Sequence, residues 1–91
     1  MTDQLSTEEL YRILKGAEGD RVLFRTRVSE FEGVLQSNGR GGYQVLYRAD
    51  GGPCTVSLGA LSQLRLEVHA SDMDNLRYCF STERPVDTQP L

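Results

Sequence analysis

Several features that would mark a functional class are scarce or missing in this sequence. It contains no Trp, one Lys, one His and two Cys, and its longest unbroken apolar run is three residues. Runs this short exclude a membrane-spanning helix, which needs about 20 apolar residues. The opening Met-Thr-Asp-Gln lacks the basic and apolar regions of a signal peptide, so we expect a cytoplasmic protein that does not enter a membrane.

The few residues with catalytic or metal-binding chemistry form no recognisable motif. Cys54 and Cys79 are too few and too far apart for a disulfide framework or a zinc module, so we expect two reduced thiols. His69, Asp72 and Asp74 precede Cys79, but their spacing matches no known ligand pattern. The single His has no visible orienting carboxylate, so no nucleophile has a partnered base. We therefore predict no enzymatic activity, no catalytic residue, no metal site and no cofactor.

Charge is unevenly distributed along the chain. Residues 1–20 carry a net charge of −3, residues 21–68 carry +2 and residues 69–91 carry −2, which gives −3 for all 91 residues. The middle of the chain is thus its basic part. The isoelectric point of about 5.0 is nevertheless far below that of a typical nucleic-acid-binding domain.

The first 20 residues predict one helix, at about residues 6–17. Ser6-Thr7-Glu8-Glu9 has the form of a capping box, in which Ser6 caps the helix and Glu9 reaches back to the cap. Leu10, Ile13, Leu14 and Ala17 then form one apolar stripe, and glycine follows it.

The basic middle of the chain predicts β-structure. Apolar and polar residues alternate in five short segments, which are Arg21–Val28, Glu30–Ser37, Tyr43–Ala49, Pro53–Leu58 and Gln63–Val68. Alternation with a period of two buries one face of each strand and exposes the other. We therefore predict a mainly β fold, in which the helix precedes a strongly curled, five-stranded small barrel over about residues 20–68.

The C-terminal quarter gives a weaker signal. Residues 75–81 also alternate, which predicts a sixth strand at an edge or between subunits. Residues 83–91 contain two prolines and no periodicity, so we expect a flexible tail. Residues 1–82 then make up a single domain.

The pattern over residues 6–68 resembles the Sm-like barrel of RNA-associated ring proteins and, less specifically, the SH3-like small barrels. Phe31-Glu32-Gly33-Val34-Leu35 looks like the glycine-bent second strand of the Sm pattern. The segment from Val56 to Leu64 looks like its two final strands around a one-turn connection. The resemblance implies a helix-plus-barrel fold and assembly into rings.

The residues that hold RNA in Sm proteins are not matched here. Asn38-Gly39-Arg40-Gly41-Gly42 lacks the acid-then-Asn spacing of the Sm base pocket, and Leu58-Gly59-Ala60 lacks the arginine of the family's Arg-Gly pair. The family's RNA pocket is therefore not carried over to this chain.

Two sets of residues are candidates for binding. One is a basic strand face, together with the Ser37–Gly42 loop, that could hold nucleic acid or a partner protein, and it consists of Arg25, Arg27, Arg40, Tyr43 and Arg48. The other is a set of apolar residues on the nominally polar strand faces, namely Leu23, Val34 and Leu46, which favours self-association. We predict a homo-oligomeric interaction or assembly module; the alternative is a binder of RNA or single strands.

Overall fold

The computed structural model describes residues 6–67 and 78–91. These described ranges contain one helix and seven strands, in chain order α1 (Thr7–Gly16), β1 (Arg21–Arg25), β2 (Glu30–Ser37), β3 (Tyr43–Ala49), β4 (Gly52–Ser57), β5 (Leu64–Glu67), β6 (Tyr78–Thr82) and β7 (Thr88–Pro90). A single 3₁₀ turn, Leu61–Gln63, leads into β5, close to the predicted one-turn connection. No helix in the described ranges is long and apolar enough to cross a membrane.

The helix begins with the predicted capping box. The Ser6 hydroxyl accepts a hydrogen bond from the Glu9 backbone N–H, and the Glu9 carboxylate accepts one from the Ser6 backbone N–H, each at 3.1 Å. Leu10, Leu14 and Ala17 are buried, as the apolar stripe predicts. The helix therefore packs one face on the sheet and leaves the other to solvent.

The seven strands form one mixed sheet in the order β5-β6-β1-β2-β3-β4-β7. The fold is mainly β, as predicted, but the sheet is not closed, and the predicted five- or six-stranded barrel is wrong. A strand has only two edges that can form ladder hydrogen bonds. β6 pairs with β1 on one side and with β5 on the other, so it takes the position at which β5 would have closed a barrel on β1.

The segments predicted for β2 and β3 agree with the structure, whereas the prediction for β1 is too long. β1 ends at Arg25, and a tight turn follows, in which the Thr26 hydroxyl accepts hydrogen bonds from the backbone N–H groups of Val28 and Ser29. Val28 lies at the tip of this turn with 91% of its surface exposed. It is therefore not on the strand face that was predicted for it.

The C-terminal segments depart most from expectation. β6 covers residues 78–82 and lies inside the sheet, not at an edge, where it runs parallel to β1; residues 75–77 of the predicted sixth strand are outside the described residues. The predicted tail contains β7, which pairs with β4 through Cys54, Thr55 and Val56. All three β7 residues are exposed, so backbone pairing and not apolar burial places this strand.

One hydrophobic core lies between α1 and the inner face of the sheet. Its fully buried side chains on the strands are Val22, Phe24, Leu35, Val45, Val56 and Phe80, and Leu10 and Leu14 cover them from the helix. Gly19 and Asp20 join the end of α1 to β2 through backbone hydrogen bonds with Leu35. The helix is thus fixed on this inner face, which leaves the opposite face to be considered as a site.

Candidate functional site

The opposite side of the sheet, called the outer face from here on, carries the polar alternation of the strands. Residues paired in register across a sheet share a face, so the outer face can be followed from strand to strand. Arg21 of β1 pairs with Val34 of β2, Val34 with Leu46 of β3, and Leu46 with Thr55 of β4. Val34 and Leu46 therefore form an apolar centre on an otherwise polar surface.

The three residues predicted for self-association all lie on the outer face, but they differ in exposure. Val34 and Leu46 are directly opposite each other and are half-buried, so part of each side chain stays accessible. Leu23 is only 5% exposed and has Glu32 and Cys79 as its cross-strand partners. Leu23 supports the apolar centre but offers little surface to a partner.

Ion pairs between arginine and glutamate side chains border this apolar centre. Arg21 binds Glu32, and Arg25 binds Glu30 at 2.9 Å and Glu67 at 3.2 Å. Burial of the Arg25 guanidinium lowers its pKa, but the hydrogen bond that it donates to Glu30 and the nearby negative charges outweigh this effect, so the pKa is raised overall. The outer face of β1 and β2 is therefore a network of paired charges and not a basic patch.

The structure separates the predicted basic set. Arg25 and Arg48 lie on the outer face at the same end of the sheet, and Arg27 lies close to that end in the turn after β1. Arg40 lies in the β2–β3 turn at the opposite end of β2, about 25 Å away for a strand of this length. No single surface therefore presents all four arginines.

Tyr43 does not belong to the basic surface. It is 5% exposed on the inner face and packs edge-on against Tyr11, with ring centroids 6.0 Å apart. Burial raises the pKa of the Tyr43 hydroxyl, with smaller contributions from Tyr11 and Glu18. This ring fills the core beneath the helix and is not available to stack on a base.

A cleft that the sequence pattern did not predict lies at the end of the outer face near Arg25. Its volume is about 160 Å³, and its charged lining consists of Arg25, Arg27, Arg65, Glu67 and Glu83. The predicted basic set did not include Arg65. This residue shares a row with Arg25 only because β6 pairs with both β1 and β5, and these segments are far apart in the chain. In the sequence, only the place of Arg65 among the polar positions of the Gln63–Val68 alternation indicated that its side chain faces outward.

Cys79 lies beneath the ion pairs at this end. It is 2% exposed, and its thiol is 3.9 Å from the Glu67 carboxylate, to which it donates. Burial, and then the charge of Glu67, raise the pKa of the Cys79 thiol to about 11. Cys54 is half-buried on the inner face of β4, and neither cysteine is in a disulfide.

Within residues 6–67 and 78–91, no three His, Cys, Asp or Glu side chains are close enough to hold a metal ion. His69, Asp72 and Asp74, which were considered with Cys79, lie outside the described residues. Comparison with known proteins found no matching family model, no matching curated protein and no matching solved structure. The outer face and its cleft therefore have to be interpreted from their own chemistry.

Proposed function

We propose that this protein is a non-enzymatic assembly module that binds a second copy of itself through the outer face of its sheet. The observation that carries the proposal is the pair Val34 and Leu46, two accessible apolar side chains directly opposed at the centre of a polar face. Single exposed apolar residues are common on protein surfaces, but adjacent ones within a charged border are typical of interfaces.

The charges on this face favour a second copy over a nucleic acid. Arg21 and Arg25 are already bound to Glu32 and Glu30, so they bring acidic groups to the surface along with basic ones. A face that carries positive and negative charges can pair with a two-fold related copy so that arginine lies opposite glutamate. A polyanion, in contrast, would be repelled by the glutamates.

The size of the face is of the order that an interface needs. Seven strands spaced about 4.8 Å apart, with a mean length near 18 Å, cover about 600 Å² in projection. A standard interface buries about 800 Å² of accessible surface on each partner. The projected area of the outer face is therefore comparable with the area that one partner buries.

The test is a double substitution at the apolar centre, Val34→Thr with Leu46→Thr. Threonine is β-branched, which suits a strand, and it removes apolar surface at both positions. We expect the dissociation constant of the homo-oligomer to rise about tenfold or more, measured by light scattering over a dilution series. The mass should fall toward the 10.2 kDa of one chain at concentrations at which the unsubstituted protein is still associated.

The matched control is Val28→Thr, the same chemical change at a residue that is 91% exposed but lies off the outer face. This variant should associate as the unsubstituted chain does. If the control and the double variant weaken association equally, or if neither changes it, the outer face is not the interface.

Nucleic-acid binding is the alternative and has its own test. It predicts a mobility shift of single-stranded RNA that weakens steeply with salt and disappears in the double variant Arg25→Glu, Arg27→Glu. We expect no shift at moderate salt, because Arg25 is ion-paired and Tyr43 is buried. An RNA shift that this double variant abolishes would replace the assembly proposal.

A further inference from the structure

The cleft at the end of the outer face has a geometry that the assembly role does not require. Arg25 of β1, Ser81 of β6 and Arg65 of β5 are paired in register, so these three residues form one row across adjacent strands. Neighbouring strands are about 4.8 Å apart, which puts the two arginine backbones about 10 Å from each other with the serine between them. The Arg65 guanidinium can therefore reach a ligand that contacts the Ser81 hydroxyl, whereas Arg25 is held by Glu30 and Glu67.

Among residues 6–67 and 78–91, neither Arg27 nor Arg65 forms an ion pair, although both line the cleft with Glu67 and Glu83. Arg25, by contrast, binds both Glu30 and Glu67. The three arginines are balanced in charge by Glu30, Glu67 and Glu83, so the cleft attracts an anion through the hydrogen-bond donors of Arg27 and Arg65 and not through a net charge.

Hydroxyl groups add uncharged donors to the same cleft. Thr82 already donates to the Gln63 carbonyl, and Thr26 is committed to its own turn. Ser81 forms no side-chain hydrogen bond with any other described residue, so its hydroxyl can donate to a ligand. Arg27, Arg65 and Ser81, which all line the cleft, are together suited to an oxyanion that accepts several hydrogen bonds at once.

We propose that this cleft binds the phosphoryl group of a small phosphate monoester. Arginine forks match phosphate and carboxylate equally in distance, but the three terminal oxygens of a phosphoryl group can accept from Arg27, Arg65 and Ser81 together. The cleft volume of about 160 Å³ is well below the roughly 300–1,000 Å³ of pockets that enclose a whole drug-sized ligand. It therefore holds the anionic end of a molecule whose remainder lies outside.

The experiment titrates the full-length chain with inorganic phosphate at low salt and follows the arginine side-chain N–H signals by NMR. We expect saturable shifts at Arg27 and Arg65. The variants Arg27→Gln and Arg65→Gln should each weaken phosphate binding about tenfold, because each removes a charge-assisted hydrogen bond. Glu83→Gln should tighten it about threefold, because this change removes the repelling carboxylate.

Arg40→Gln is the matched control, since Arg40 is an exposed arginine in the β2–β3 turn far from the cleft. It should leave phosphate affinity unchanged. Circular dichroism of every variant separates loss of a ligand contact from loss of fold. The opposite effect of Glu83→Gln keeps the proposal testable even if one arginine variant does not fold.

Two further probes decide the ligand class. Acetate should bind at least tenfold more weakly than phosphate, because it has fewer acceptor oxygens. A single-stranded oligonucleotide should compete poorly with phosphate, because its diesters lack the terminal dianion. Equal binding of acetate, equal sensitivity to Arg40→Gln, or no effect of Arg65→Gln would each overturn the proposal. Phosphate binding is followed at Arg27 and Arg65 by NMR, and self-association at Val34 and Leu46 by light scattering, so separate variants and measurements distinguish a failure of one proposal from a failure of the other.

Discussion

Gly33 lies where β2 passes closest to β3. A Cβ atom built on Gly33 would overlap the Leu46 carbonyl oxygen and press on the Val45 side chain. Backbone cannot move aside as a flexible side chain can, so the pairing of β2 with β3 would have to change. A glycine inside a strand is typical of such a close approach, and the structure identifies the opposing group as the carbonyl of Leu46.

We expect Gly33→Ala to lower the free energy of unfolding by about 3 kcal/mol, the upper part of the range for overpacked sites. Urea denaturation of the purified variant measures this change. Gly51→Ala is the control, because a Cβ at Gly51 meets nothing within 4 Å. A Gly33→Ala variant as stable as Gly51→Ala would contradict the register of β2 on β3.

Cys79 and Cys54 should differ strongly in reactivity. With its pKa raised to about 11 from an ordinary value of 9.0, the Cys79 thiol is almost wholly protonated at pH 8, and it is also 2% exposed. We expect iodoacetamide to modify half-buried Cys54 first and to reach Cys79 only in denaturant, as peptide mass mapping can resolve. Modification of Cys79 in the folded chain at the rate of Cys54 would contradict its burial.

The same thiol makes stability depend on pH in the alkaline range. Because the folded pKa lies above the unfolded one, the contribution of Cys79 is complete below pH 9 and is lost as pH rises toward 11. Cys79→Ala should therefore lose less stability than the unsubstituted chain between these two values. If the variant and the unsubstituted chain lose the same stability, groups other than Cys79 cause the alkaline effect.

Among the elements, the helix is the one whose start depends most on a local motif. Ser6→Ala removes the side-chain half of the capping box and should cost about 1 kcal/mol of stability, measured by thermal unfolding at pH 7. Ser62→Ala, in the 3₁₀ turn that has no side-chain cap, is the control and should be near neutral. A loss no larger than that of the control would show that α1 is held by packing alone.

The capping box also has an acid dependence. Hydrogen bonds from the Ser6 backbone and side chain lower the pKa of Glu9 below its ordinary 4.5. The contribution of Glu9 to the stability of the folded chain is therefore present at neutral pH and is lost as pH falls through the folded pKa of Glu9. The difference between Ser6→Ala and the unsubstituted chain should shrink at pH 3.

The elements also show what local pattern can predict and what it cannot. The helix from its capping box, and β2 and β3 from their alternation around Asn38, follow from residues close together in the chain. The turn at Asn38 is held by its own side chain, which accepts from the backbone N–H groups of Arg40 and Gly42. Such local hydrogen bonds leave a direct trace in the sequence.

No local sequence pattern indicates where β6 lies in the sheet. Its parallel pairing with β1 joins Val22 to Tyr78 and Phe24 to Phe80, more than 50 residues apart. Alternation reports that a segment is a strand and which side it buries, but not its neighbours. For the same reason the barrel was predicted where the sheet is open, and Arg65 was not placed beside Arg25.

In the whole molecule, the two faces of the sheet differ in character. The inner face and α1 enclose the core, whereas the outer face joins an apolar centre at Val34 and Leu46 to paired charges and an arginine-lined cleft. A chain of 91 residues has a small core, so the proposed burial of this outer face against another copy would also add stability.

The most direct test of the proposed assembly is an isotope-filtered NMR experiment on an equal mixture of carbon-13-labelled and unlabelled chains. Contacts between the two kinds of chain arise only across an interface between copies. We predict such contacts between the methyl groups of Val34 and Leu46 on one copy and the outer face of the other. A monomer at every concentration, or contacts confined to residues off the outer face such as Tyr11 or Val28, would contradict it.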